Sequence, residues 1–276
     1  MGKTCRLLLR TYAKVNLCLD IIRKRSNGYH EISSLFQNIS LADKMEIIIS
    51  NGDGNIQIDS NMHIEDNILY KIWRLLGDKD HDVKVRLEKK IPMGAGLGGG
   101  SSNAAGFLKA LEYVGVITKD DAYQLAKAVG SDVPFFLYGG TANVAGRGEI
   151  IEPLEPLPSF KIDIFYPGYS ISTKEAYGNL RSEWFNLAPM GPLELYRAYL
   201  ENDCEKIKKG TYNIFERVIP NDLLSKIEKL KLEFPAALTG SGSAYFCINS
   251  NGKYHFTQKG VEIDAFEEIE GRGTCS

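Results

Sequence analysis

From residue 6 to 22 the chain alternates, with Val15, Leu17, Leu19 and Ile21 at one set of positions and Lys14, Asn16, Cys18 and Asp20 at the other. A period of two marks a half-buried strand, so the pattern puts Lys14 and Asn16 on one face, opposite the apolar one. A turn at Ser26-Asn27-Gly28 leads into a second β-like run, Tyr29 to Ile39. Met45 to Ile49 and Ile56 to Ile58 read as a hairpin around Asn51-Gly52-Asp53-Gly54. Asn67 to Leu76 has helical spacing behind a cap at Asp66 or Asn67. An alternating segment with Val83, Val85 and Leu87 on one face is followed by a glycine-rich stretch and a helical run, Ala104 to Val114. Thr118 to Val129 is a further helix, opened by a capping box of Thr118 and Asp121 and stopped at Gly130. Ser131-Asp132-Val133-Pro134 starts a short apolar helix or turn through Tyr138.

The run from Glu152 to Pro158 holds Pro153, Pro156 and Pro158 and reads as a linker. It suggests one unit over residues 1–153 and a second over 154–276. Beyond it come a strand (Phe160 to Tyr166) and helices near Thr173 to Leu180, Pro192 to Glu201 and Asn221 to Leu232. A second glycine turn, Thr239-Gly240-Ser241-Gly242-Ser243, enters a strand from Ala244 to Ile248. Strands and helices mix without regular βαβ alternation, which favours an α+β fold.

Composition narrows the function. With 33 basic and 35 acidic residues the net charge is −2, and the longest basic run is the three residues Arg23-Lys24-Arg25. A broad nucleic-acid footprint is not expected. No apolar stretch nears the ~18 residues of a membrane span, and the N-terminal residues lack the layout of a signal peptide. The five cysteines form no C-x-x-C pair, as expected of reduced thiols in a cytoplasmic protein. The four histidines show no metal-ligand spacing, and no residue pattern suggests a dedicated metal site or sets an oligomeric state.

The chemistry concentrates in Pro92-Met93-Gly94-Ala95-Gly96-Leu97-Gly98-Gly99-Gly100-Ser101-Ser102, with five glycines between 94 and 100. A glycine loop between strand and helix aims backbone N–H groups at one point, and the helix start adds free donors and about half a positive charge. That is an anion cradle, most often for phosphate. It is not a Walker A loop, since no Lys precedes Ser101, nor a dinucleotide fingerprint in its usual βαβ setting. Ser101 and Ser102 suit either phosphate contact or plain capping. Read from the residues alone, Asp132 is a proton acceptor or a first-turn acid, and Lys14 a charge partner or a solvated strand residue.

PMGAGLGGGSSNAA (92–105) resembles the phosphate-binding motif of the GHMP kinases, the small-molecule kinases that act on galactose, homoserine, mevalonate and phosphomevalonate. YAKVNLCLDI (12–21), NGYHEISSLFQNI (27–39), SDVPFFLYGGTA (131–142) and TGSGSAYFCI (239–248) resemble further motifs of its isoprenoid-pathway branch, in the same order. The resemblance implies a two-lobed fold, with an N-terminal lobe like domain 2 of ribosomal protein S5 and a ferredoxin-like C-terminal lobe. It implies ATP with Mg²⁺, and a small-molecule acceptor: the 2-hydroxyl of a cytidine diphosphate-linked methylerythritol. Lys14 and Asp132 match the catalytic pair, and residues 92–102 the nucleotide loop. Tyr29, His30 and Tyr177 match a cytosine clamp, with Asn16 and Thr173 as further acceptor contacts. Arg147, in AGRGE (145–149), reaches either a diphosphate or a surface carboxylate. A homoserine- or mevalonate-type kinase has no use for the aromatic clamp, and a member that only binds nucleotide has no use for Lys14 with Asp132.

Overall fold

Two long strands, β1 (Lys3–Lys24) and β2 (His30–Asn51), run antiparallel and form the spine of the computed structural model, which describes residues 3–270. After them come β3 (Ile56–Ser60), α1 (Ile68–Leu76), β4 (His81–Glu88), α2 (Gly99–Tyr113), α3 (Lys119–Val129), α4 (Val133–Tyr138), β5 (Thr141–Gly146) and β6 (Ile150–Leu154). The rest of the chain adds β7 (Lys161–Phe165), α5 (Thr173–Gly178), α6 (Pro192–Leu200), α7 (Cys204–Gly210), β8 (Tyr212–Asn213) and α8 (Asn221–Lys231). It closes with β9 (Ala236–Leu238), β10 (Tyr245–Ile248), β11 (Tyr254–His255) and β12 (Val261–Glu270). One sheet runs β12-β1-β2-β4-β3, with β5 and β6 continuing from the other half of β2 and β8 beside β1. The second sheet runs β11-β7-β10-β9. Helices packed against two sheets are the α+β arrangement expected. None of the described helices is long and apolar enough to cross a membrane.

Each sheet has its own core. Leu7, Leu9, Leu19 and Ile21 of β1 pack with Ile47, Val85, Phe107 and Phe135 under α1, α2 and α4. Ala13, Val15 and Leu17 of the same strand turn the other way, toward Ile162, Tyr199 and Phe246. The change of face has a cause: the pairing of β1 with β2 slips between Tyr12 and Ala13 and again between Asn16 and Cys18. Each slip reverses the alternation. Lys14 and Asn16 therefore do share a face, but Cys18 and Asp20 lie on the opposite one, against the simple period-two reading.

The hairpin expected at 51–54 does not form. β4 lies between β2 and β3 and pairs with both. The Asp82 carboxylate on β4 accepts from the backbone N–H of Asp53 (3.1 Å) and Asn55 (2.8 Å), which wraps the loop around the β4 end. Pro153 lies inside β6, an edge strand where a missing N–H costs nothing, so the irregular stretch begins only after Leu154. The tail after Asn249 supplies β11 and β12, and β12 returns to pair with β1. Helix α7 carried no signal strong enough to be read.

Candidate active site

Between the first two slips in its pairing with β2, β1 presents Lys14 and Asn16 side by side toward the helices. Lys14 is buried, and its ammonium donates to Asn16 Oδ1 at 2.6 Å and lies 4.9 Å from the centre of the Phe36 ring. Burial holds the Lys14 pKa below the ordinary lysine value, and the negative charge of Asp132 works against that shift. Asn16 Oδ1 also accepts from Gly240 N at 2.7 Å, while its Nδ2 donates to Ser34 Oγ at 3.0 Å. Asn16 thus spends most of its hydrogen-bonding capacity inside the protein, which leaves little for a ligand.

Helix α2 starts at Gly99, five residues before the helical run read from sequence, with Gly98 as its N-cap. The loop is fastened by its apolar side chains. Ile91, Ala95 and Leu97 are buried in the second core, and Leu97 O accepts from Lys14 N at 3.0 Å. With those side chains turned inward, Pro92 through Ser101 line a cavity of about 580 Å³ together with Lys14, Asn16, Asp132 and Thr173. The first turn of α2 supplies N–H groups that have no partner within the helix. Ser101 reaches this cavity. Ser102 does not: it is fully buried, and its hydroxyl donates to Tyr12 O at 2.7 Å. Its expected place at the phosphate is thus corrected to a tie between α2 and β1.

Asp132 is the N-cap of α4 but makes no capping hydrogen bond. Its half-buried carboxylate accepts from Ser131 Oγ at 3.2 Å and faces the cavity. A capping acid would be used up on the helix; this one is open toward a ligand. Thr173 Oγ1 lies 3.0 Å from Ser241 Oγ, at the join between α5 and the second glycine turn.

A second cavity, about 810 Å³, adjoins the first and shares Gly130, Ser131, Arg147, Thr173 and Tyr177 with it. Tyr29 and His30 line its outer end. The His30 and Tyr177 rings lie 5.1 Å apart and tilted by 38°, and Phe185 meets His30 edge-on at 5.7 Å. Tyr177 rests edge-on against Phe215 at 4.8 Å. Burial, with Asp132 adding to it, pushes the Tyr177 phenol up to about 12. Burial and the charge of Lys24 lower the His30 pKa, which leaves the imidazole neutral at pH 7, with one ring nitrogen to donate and one to accept. Tyr29 is 55% exposed, an open aromatic face at the entrance.

Sequence reading missed the support under the loop. Asp43 is completely buried and paired with Lys89. Its Oδ1 accepts from Lys90 N (2.7 Å) and Ile91 N (2.8 Å), and its Oδ2 from Asn103 Nδ2 (2.9 Å). Asn103 also accepts from Lys89 Nζ at 3.0 Å and donates to Thr11 Oγ1 at 2.8 Å. Also missed was the contact between the two glycine turns: a Cβ on Gly96 would lie 2.1 Å from Thr239 O. Among the described residues no group of three or more His, Cys, Asp or Glu side chains is arranged to hold a metal ion.

A family profile described as the GHMP kinases N terminal domain matches residues 67–140, from the start of α1 through α4. The chain is 60% identical over 271 residues to 4-diphosphocytidyl-2-C-methyl-D-erythritol kinase of Fervidobacterium nodosum, covering 97% of this chain and 100% of that one. A crystal structure of 4-(cytidine 5'-diphospho)-2C-methyl-D-erythritol kinase matches with a TM-score of 0.73 at 33% identity, over 88% of this chain and 90% of the other. Homoserine kinase from Cytophaga hutchinsonii matches with a TM-score of 0.65 over 94% and 97% of the two chains, and at 17% identity it shares the fold alone.

Proposed function

The chain belongs to the 4-diphosphocytidyl-2-C-methyl-D-erythritol kinases, a branch of the GHMP kinases, and we propose that it moves the γ-phosphate of ATP to the 2-hydroxyl of that cytidylyl alcohol. The glycine loop and the first turn of α2 hold the ATP phosphates through backbone N–H groups. The aromatic pocket of Tyr29, His30 and Tyr177 holds the cytosine, where stacking contributes about 1–3 kcal/mol per base, and His30 reads the base edge with one donor and one acceptor. Thr173 stands where the two cavities meet, beside the acceptor.

The acceptor oxygen attacks the γ-phosphorus, its proton passes to Asp132, and the bond from the γ-phosphorus to the β,γ-bridging oxygen breaks to release ADP. The Lys14 ammonium offsets the charge that builds on the transferring phosphoryl. The Ser101 hydroxyl, which lines the same cavity, would hold a Mg²⁺ ion brought in with ATP, and the ion would offset the charge of the phosphates. A cytoplasmic setting fits the four described cysteines, all free thiols.

The observation that carries this reading is that Lys14, Asp132 and the loop face one cavity, which opens directly into the aromatic pocket. Replacing Asp132 by Asn is expected to cut kcat by about 10²–10⁴-fold while ATP binding by calorimetry stays intact. A near-wild-type rate of ADP release with the cytidylyl acceptor in that variant overturns the assignment.

A further inference from the structure

The cytosine pocket and the transfer site are joined at one side chain. Arg147 lines both cavities. Its guanidinium carbon lies 4.9 Å from the centre of the Tyr29 ring, and its Nε lies 3.6 Å from Glu149 Oε1. The turn that carries it is closed by a hydrogen bond from Gly148 N to Ala145 O at 3.1 Å. That turn backs onto the reacting end: a Cβ on Gly148 would sit 3.5 Å from Asp132 Oδ1.

Charge around this junction is not balanced. Lys24, Lys127, Arg147 and Lys174 line the outer cavity, and Glu149 is its one acidic residue among those described. Glu149 is also shared, with Arg25 Nη1 at 3.9 Å on its other side. A surface ion pair would leave no such surplus, and an uncharged cytosine does not call for one. A cleft lined with one sign of charge concentrates ligands of the other sign. The Arg147 side chain is 45% exposed, and its guanidinium offers two parallel N–H donors, which suits phosphate oxygens.

Resting on the acceptor reading above, we propose that Arg147 binds the diphosphate of the acceptor and sets the distance between the clamped base and the hydroxyl at Asp132. It is a specificity residue for a nucleoside diphosphate over the bare nucleoside. In the free protein it rests on the Tyr29 face, held by cation–π attraction, already beside the path of the ligand.

Arg147→Gln is expected to raise the KM for the cytidylyl acceptor by about 10–100-fold and, because the hydroxyl is then less well placed at Asp132, to lower kcat severalfold as well, with the KM for ATP within about twofold. Arg147→Lys keeps the charge without the fork and is expected to fall between. Calorimetry with CDP and with cytidine needs no turnover: the wild type binds CDP more tightly, and Arg147→Gln loses that preference while cytidine affinity holds. An unchanged preference for CDP, or an unchanged acceptor KM, overturns the proposal. So does an equal loss for both ligands, which would make Arg147 a support for Tyr29 only. Failure of the wild type to phosphorylate the cytidylyl alcohol defeats the acceptor reading instead, and the CDP-against-cytidine comparison still decides the role of Arg147.

Discussion

Lys14 carries its charge at a cost. Its ammonium is buried, with an amide oxygen and an aromatic face as neighbours, and a buried cation is destabilising unless closely paired. Its pKa is lowered by burial, so between that lowered value and the 10.5 of a free lysine the unfolded chain binds the extra proton. Stability therefore rises with pH across that window, and the penalty is fully present below the lowered value. Lys14→Met is accordingly expected to lose about 10²–10³-fold in kcat and yet to melt no lower than the wild type at pH 7. The difference in melting temperature between the two proteins should shrink as pH climbs into the alkaline range. A Lys14→Met protein that melts well below the wild type at pH 7 would mean that the ammonium stabilises the fold. The same shift predicts that the wild-type rate declines at a lower pH than an ordinary lysine would give.

At the level of elements, the strand-to-helix crossing of β4, loop and α2 hangs on Asp43. Its carboxylate takes two backbone N–H groups at the loop entrance, one amide from α2 and the Lys89 ammonium. Asp43→Ala orphans all of these in a buried place and is expected to cost about 3–5 kcal/mol by denaturant melts, the range for breaking a buried pair. Asp43→Ala with Lys89→Met removes the unpaired cation and is expected to recover part of that loss; a strictly additive double variant would show that the two do not interact. None of this was legible beforehand, because Asp43 and Lys89 are 46 positions apart and each looks like an ordinary surface charge. What could be read were the local signals: the Asn67 cap of α1, the Thr118–Asp121 capping box and the glycine loop. The β3 hairpin and the face of Asp20 were misread for a related reason. A strand inserted from later in the chain, and a slip in pairing with a neighbour, leave no mark on local periodicity.

Across the whole molecule the site depends on two glycine turns from different sheets meeting backbone to backbone. Ala244 N donates to Ala95 O at 3.1 Å, Thr239 Oγ1 to Gly96 O at 3.2 Å, and Gly240 N to Asn16 Oδ1 at 2.7 Å. The approach is possible because Gly96, at φ +80°, has no side chain to hold the turns apart. It also explains why Asn16, which resembles a ligand contact by motif, acts in the structure as a bracket between the sheets. Gly96→Ala puts a Cβ 2.1 Å from Thr239 O in a backbone conformation that L-residues avoid, at an expected cost of about 2–4 kcal/mol. Because the loop both contacts the phosphates and seats the second sheet, the stability loss and a rise in KM for ATP should appear together. The check is a thermal melt beside ATP saturation kinetics on the same preparation. A variant that melts lower but keeps its KM for ATP would show that the loop conformation does not depend on the second sheet.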